Sequence, residues 1–326
     1  MWKSQERLRM DKDIILQGDC LTSLKTLPDN SINCCITSPP YYGLRDYGVD
    51  GQIGLEATPE LFIDNLVNIF REVKRILKDD GTLWVNIGDS YNCTPRGSTD
   101  IRGKQSTNLG SFAQHYSKRV VDSCKQKDLM GIPWMLAFAL RDDGWYLRQD
   151  IIWHKPNPMP ESVMDRFTKS HEYIFLFSKN PQYYFDHDSV QEDADPKNAS
   201  RYKSAFNVGK EQNTVRPNSS PNSAGMKEYT GKRNKRDVWT VNSAHFKEAH
   251  FATFPEDLIK PMILAGCPEN GIVLDPFMGS GTTAVVSKKL YRNYIGCELN
   301  PEYIKIAEKR ISNTVSKVNS RLFKIL

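Results

Sequence analysis

The sequence predicts a doubly wound α/β fold with a mostly parallel sheet, and three observations support this. Short apolar runs that read as buried strands stop at turn-forming residues, as in SINCCITS (31–38) before Pro39 and Pro40 and GIVLDPF (271–277) before a glycine-rich turn. Segments with helical apolar spacing alternate with these runs, most clearly at 58–81 and 301–311. Such alternation implies parallel strands joined by crossovers, with helices covering both faces of the sheet. At 326 residues, the chain can form one large domain carrying an insertion.

The elements follow in order. DIILQGD (13–19) reads as a short buried strand ending in an acid, and SINCCITS as a second strand stopped by two prolines. Next comes a helix with Thr58 as N-cap, Pro59 in the first turn and Gly81 at the exit. Its apolar face comprises Phe62, Leu66, Ile69, Phe70, Val73, Ile76 and Leu77. GTLWVNIGD (81–89) is predicted as a strand, 91–127 as irregular, 131–144 as a helix, and YLRQDIIWH (146–154) and HEYIFLFSK (171–179) as strands around a proline-rich loop. After a polar stretch at about 186–245, FPEDLIKPMILAGC (254–267) reads as a helix. It is followed by strand 271–277, helix 279–290, strand NYIGCELN (293–300) and helix PEYIKIAEKRI (301–311).

The composition, 39% hydrophobic and 25% charged, is that of a soluble globular protein. The polar start MWKSQERLRMDKD does not resemble a secretory signal, and no apolar stretch approaches the roughly 20 residues needed to span a bilayer. Seven cysteines without a CxxC pair suggest neither a zinc site nor a disulfide framework, so a metal-free protein of a reducing, cytoplasmic compartment is expected. The net charge of +5 is unevenly spread. Segment 91–127 carries Arg96, Arg102, Lys104, Lys118, Arg119, Lys125 and Lys127 against Asp100 and Asp122. Segment 196–236 includes Lys232, Arg233, Lys235 and Arg236 among ten basic residues, opposed by Glu211 and Glu228. Either segment can be read as a solvated loop or as a phosphate-contacting surface.

Two motifs carry chemistry. DPFMGSGTT lies where a strand turns into a helix, and Gly279 and Gly281 allow a ligand to approach the backbone closely. The motif lacks the lysine of a P-loop and the spacing of GxGxxG, which disfavours a nucleotide triphosphate cradle and a nicotinamide oxidoreductase. Glu298 ends the next strand, where a carboxylate can accept hydrogen bonds from both hydroxyls of a ribose. The second motif is TSPPYY (37–42), which places a hydroxyl, two rigid rings and two aromatic faces at a strand tip. Taken alone it could be a proline turn beside core tyrosines, and Cys34 and Cys35 before it read as core residues.

Together, the motifs resemble those of DNA amino-methyltransferases. DPFMGSGTT looks like the family's S-adenosylmethionine motif and TSPPYY like its catalytic motif. GDCLTSLKTLPDNSINCCITSPPYY, WHKPNPMPES, RFTKSHEYIFLFSK and GCELNPEYI match in kind and order, from about Ile14 to Ile311. The catalytic motif comes first, a basic segment follows and the cofactor motif is last, an order similar to the circularly permuted β-class. The resemblance implies a methyltransferase-type α/β sheet with a catalytic half over 1–186, a target-recognition insertion over 187–245 and a cofactor half over 246–326. It assigns Asp19, Cys20, Thr37, Asp275, Pro276, Phe277, Gly279, Ser280, Gly281, Thr282, Glu298, Leu299 and Asn300 to S-adenosyl-L-methionine. It assigns Ser38, Pro39, Pro40 and Tyr41 to catalysis, with Tyr42 assisting base stacking, and the basic residues Arg96, Arg102, Lys104, Lys118, Arg119, Lys232, Arg233, Lys235 and Arg236 to double-stranded DNA.

The chemistry accounts for TSPPYY. An exocyclic amino group is a poor nucleophile because its lone pair is conjugated into the ring. Two acceptors around its N–H bonds favour the tetrahedral geometry and positive charge that develop during methyl transfer. The Ser38 hydroxyl and the Pro39 carbonyl can be those acceptors, Pro39 and Pro40 restrict the backbone, and Tyr41 can stack on an extruded base. Relatives with Ser before the two prolines mostly modify cytosine N4, whereas those with Asp or Asn mostly modify adenine N6, so Ser38 points to N4. Rival readings are adenine or RNA as the target, and a nucleic-acid-binding protein with an inactive site, which the intact TSPPYY and Glu298 disfavour. A cognate restriction endonuclease would be a separate chain, and a monomer and a homodimer both remain open.

Overall fold

The computed structural model describes residues 11–44, 48–92, 121–195, 231–243 and 254–322, with side chains through 314. Ten strands are described: β1 (Ile14–Gln17), β2 (Ile32–Thr37), β3 (Leu77–Ile87), β4 (Tyr146–His154), β5 (His171–Ser178), β6 (Glu192–Asp193), β7 (Lys232–Arg233), β8 (Val238–Thr240), β9 (Ile272–Asp275) and β10 (Asn293–Glu298). Six α-helices accompany them: α1 (Cys20–Lys25), α2 (Pro59–Ile76), α3 (Ile132–Asp142), α4 (Glu256–Gly266), α5 (Thr282–Lys289) and α6 (Pro301–Leu322).

The chain forms two compact units. The larger, Met1–Asp186 with Asp237–Leu326, contains an eight-stranded sheet of order β1-β10-β9-β2-β3-β5-β4-β8. Neighbours from β1 to β3 are parallel, β5 runs antiparallel to both β3 and β4, and β8 is parallel to β4. The smaller unit, His187–Arg236, has a 3-10 turn at Asp188–Val190 and the antiparallel pair β6–β7.

Strand alternation sets the two faces. Cys35 and Leu83 share a buried cluster with Phe62, Leu66 and Phe70 of α2 and with Leu136 and Leu140 of α3. Cys34, Thr82 and Trp84 point the other way, where the C-terminal end of α4 is so close that a Cβ on Gly266 would lie within 2.9 Å of all three side chains. Helices therefore cover both faces, as the buried runs of β2 and β9 require.

Three local expectations differ from the structure. Helix α2 ends at Ile76 rather than near Gly81, because Leu77 turns extended and pairs with Ile32. Gly81 lies within β3, where a Cβ would come within 2.9 Å of the Lys78 carbonyl. The six-residue helix α1 was not anticipated; Asp19 caps it by accepting from the Thr22 amide at 2.8 Å. Strand β8 lies within the polar stretch 186–245 but joins the main sheet through Ile152, Trp153 and His154.

Gly281 fixes the turn into α5. Its φ is +81°, and an added Cβ would lie 2.7 Å from the Ala307 Cβ and 3.1 Å from the Ala307 Cα on α6. We expect Gly281→Ala to destabilise the fold by about 1–3 kcal/mol, combining positive φ with overpacking. An unchanged urea midpoint would contradict this.

Candidate active site

The carboxyl ends of β1, β2, β3, β4, β9 and β10 and the amino end of β5 lie along one edge of the sheet, as the strand directions require. This edge is where open α/β sheets bind ligands. A cavity of about 240 Å³ opens there. Among the residues implied by the sequence it is lined by Asp19, Cys20, Ser38, Pro39, Pro40, Tyr41, Pro276, Phe277, Gly279, Ser280, Thr282, Glu298, Leu299 and Asn300. The structure thus brings together two motifs from opposite ends of the chain.

On one side, Glu298 terminates β10. Its Oε2 accepts from the Gly279 amide at 2.7 Å and its Oε1 from the Asn300 amide at 2.8 Å. A carboxylate oxygen can accept more than one hydrogen bond. Burial raises the Glu298 pKa, and the Asn300, Gly279 and Leu299 amides oppose the shift. The glycine turn is held from behind by Arg310 of α6, whose Nη1 donates to the Ser280 carbonyl and Oγ at 2.7 Å each and to Thr282 Oγ1 at 3.1 Å. Cys20 also faces the cavity; burial, then the neighbouring Asp19 charge, push its thiol up to about 12, so it remains protonated at neutral pH.

Thr37, Asp275 and Gly281 do not line the cavity. Asp275 is 1% exposed, and its carboxylate is engaged by protein donors. Oδ1 accepts from Thr37 Oγ1 at 2.7 Å and the Phe277 amide at 3.1 Å, and Oδ2 accepts from Thr283 Oγ1 at 2.6 Å. Asp275 and Thr37 therefore shape the site from behind its wall, and Gly281 packs on Ala307.

On the side of the TSPPYY motif, Ser38 Oγ lies 3.5 Å from Asn86 Oδ1, at the long limit of a hydrogen bond. Tyr41 donates its hydroxyl to Glu172 Oε2 at 2.7 Å. Its ring passes so close to Gly88 that a Cβ there would lie 2.6 Å from Tyr41 Cε2. Tyr42 does not assist at the cavity. It is 4% exposed, packs 5.5 Å from the Phe62 ring and donates to the Glu56 carbonyl. Cys34 and Cys35 are fully buried, and burial raises both thiol pKa values, as core residues require.

Asn86, Lys155, Glu172 and Arg310 were assigned no role from sequence. Lys155 and Glu172 fall within WHKPNPMPES and RFTKSHEYIFLFSK, stretches that matched the family without implying a task. Asn86, near the end of β3, and Arg310, on α6, reach the site only through tertiary packing.

Of the basic residues assigned to DNA, Arg96, Arg102, Lys104, Lys118 and Arg119 lie outside the described residues. Within the smaller unit, Lys232 pairs with Asp193 at 2.5 Å, while Arg233 and Arg236 each lie 3.2 Å from Glu192. The charge of Lys235 also lowers the Glu192 pKa. The cluster is thus partly neutralised by two acids just outside the 196–236 window used to count charges.

Asp275 gives a pH-dependent prediction. Burial raises its pKa to about 6, opposed by Thr283, Thr37 and the Phe277 amide. Between the ordinary carboxylate range and pH 6, the unfolded chain releases this proton while the folded chain keeps it. The stability contributed by this group should therefore fall as pH rises from about 4 to 6, and stay lower above. The expected change is on the order of 3 kcal/mol, at about 1.4 kcal/mol per pKa unit. Subtracting the urea stability of Asp275→Asn from that of wild type should reveal this slope; a flat difference would show that the carboxyl ionises alike in both states.

Comparison with known proteins agrees with this geometry. A DNA methylase family model for N6 and N4 methyltransferases matches residues 32–309. The chain is 46% identical over 313 residues to the Type II methyltransferase M.Cfr9I of Citrobacter freundii, covering 96% of this chain and 92% of that protein. The PvuII DNA methyltransferase, described as cytosine-N4-specific, shares the fold with a TM-score of 0.61 at 17% identity, over 95% of this chain and 93% of that one. TTHA0409 of Thermus thermophilus, solved in complex with S-adenosyl-L-methionine, aligns with a TM-score of 0.55 at 22% identity, over 92% and 95% of the two chains. With the family model covering most of its length, the chain belongs to the N6/N4 DNA methylase family.

Proposed function

We propose that this DNA methyltransferase uses S-adenosyl-L-methionine to methylate the exocyclic N4 of cytosine in double-stranded DNA, acting on a base turned out of the duplex. The observation carrying the proposal is that Ser38, Pro39, Pro40 and Glu298 share one cavity at the carboxyl edge of the sheet. The residues fit the cofactor. Glu298 retains acceptor capacity for ribose hydroxyls, Gly279 and Ser280 provide a narrow backbone cradle, and Phe277 and Leu299 add apolar lining. When bound, S-adenosyl-L-methionine supplies a methyl group on a sulfonium, an electrophile that needs no metal.

The protein's own contribution is positioning and hydrogen bonding. Ser38 Oγ and the Pro39 carbonyl accept the two amino N–H bonds, favouring the tetrahedral nitrogen and its developing charge. The paired prolines hold these acceptors in place before the substrate arrives. Tyr41, fixed between Gly88 and Glu172, offers the base a face. The amino proton leaves after transfer. We read the chain as β-class, with the catalytic strand β2 preceding the cofactor strands β9 and β10. In that reading the smaller unit and the basic segments recognise the target, and any cognate endonuclease is a separate protein.

Base-resolved mapping of DNA incubated with the protein and S-adenosyl-L-methionine tests the reaction, and N4-methylcytosine at a defined sequence is expected. N6-methyladenine would transfer the same mechanism to the other base, and label entering only RNA would overturn the DNA assignment. Ser38→Ala should slow methylation on the order of 10²-fold or more, with cofactor affinity little changed; undiminished turnover would remove Ser38 from the chemistry. Glu298→Ala should weaken cofactor binding by calorimetry while the fold persists, and a wild-type dissociation constant would remove Glu298 from the pocket.

A further inference from the structure

We infer that Glu172 is a positioning residue for methyl transfer, orienting the hydroxyl protons of the catalytic wall so that Ser38 presents lone pairs to the substrate. The inference rests on the reading of Ser38 as acceptor for the reacting amino group.

Hydrogen-bond inventory carries the argument. A carboxylate such as that of Glu172 acts here as an acceptor. Its Oε1 takes a hydrogen bond from Lys155 Nζ, and its Oε2 accepts from the Tyr41 hydroxyl at 2.7 Å and from Asn86 Nδ2 at 3.3 Å. Asn86 Nδ2 also donates to the Tyr173 carbonyl at 3.1 Å. Two acceptors therefore face the nitrogen of the Asn86 amide, which fixes its oxygen on the side of Ser38. Tyr41 has a single proton, and the 2.7 Å contact to a carboxylate takes precedence over the 3.4 Å approach to Asn86 Oδ1. Asn86 Oδ1 is left to receive the Ser38 proton at 3.5 Å, a distance that closure on a substrate can shorten.

The consequence is directional. A serine hydroxyl has one proton and two lone pairs. With the proton directed at Asn86, both lone pairs can face an incoming N–H. Were it directed into the cavity, the serine would compete with the amino group as a donor. Three strands assemble this arrangement: β3 supplies Asn86, β5 supplies Glu172 and the exit of β4 supplies Lys155. Lys155 and Glu172 side chains are 18% and 15% exposed, and the ammonium also lies 4.1 Å from the Trp153 ring centroid. The pair holds the Glu172 carboxylate in place beside Tyr41 and Asn86.

The test uses Glu172→Gln, which keeps the shape but introduces an NH2 donor, on the DNA site located by mapping. Single-turnover methylation should slow on the order of tenfold, with cofactor affinity unchanged. On a Ser38→Ala background the same substitution should cost distinctly less, because only its hold on Tyr41 remains. Asn86→Leu should repeat both results and keeps the inference testable if Glu172→Gln folds poorly. A wild-type rate for Glu172→Gln, or an equal loss with and without Ser38, would overturn the inference. Failure of the wild-type protein to methylate any DNA would instead sink the underlying function.

Discussion

The buried carboxylate of Asp275 joins the two halves of the site. It receives Thr37 from the end of β2, Thr283 from α5 and the Phe277 amide from its own turn. Thr37 directly precedes Ser38, and Phe277 lines the cavity opposite. One anion thus holds the catalytic strand end and the glycine turn in register, across a separation of 238 residues. Burying a carboxylate opposes ionisation, and three donors compensate only in part, which is why its pKa is raised rather than lowered. The fold tolerates this cost where the relative placement of two strand ends matters most.

Much of the scaffold was legible because its signals are local. The Thr58 cap, Pro59 and the apolar face of α2 are read within one segment, and the buried runs of β2 and β9 need only composition and a stop. What could not be read depends on pairing. Leu77 leaves the helix because Ile32 is beside it, and β8 contributes one deeply buried side chain, Trp239, to a stretch otherwise polar. Helix α1 is too short for periodicity to register. The site followed the same division. Strand-end motifs pointed to Ser38 and Glu298, which line the cavity, whereas Asp275 lies behind its wall and bonds to Thr37, Thr283 and the Phe277 amide.

The basic residues of the smaller unit illustrate how sequence windows mislead about charge. Strands β6 and β7 pair Glu192 with Arg233 and Asp193 with Lys232, so opposite charges face each other across the ladder. Asp193 and Lys232 are 39 positions apart along the chain, and a local count sees only the basic side. Such exposed pairs contribute little individually, and the pairing lowers the field the unit projects at a distance.

The two walls of the cavity share a hydrogen-bonding logic. On the Glu298 side, the Gly279 and Asn300 amides hold a carboxylate so that its remaining lone pairs face outward as acceptors. On the Ser38 side, Ser38 donates to Asn86, Asn86 to Glu172 and Tyr41 to Glu172. In the proposed reaction, both walls would offer acceptors to ligands that bring donors: ribose hydroxyls on one side and an amino group on the other. The Glu172 carboxylate on the second wall is paired with Lys155, which also lines the cavity. In the proposed transfer, a free carboxylate in place of Ser38 would also accept but would hold the amino group more strongly in the ground state, whereas stabilisation by a neutral oxygen of fixed direction would grow with the charge that develops on nitrogen.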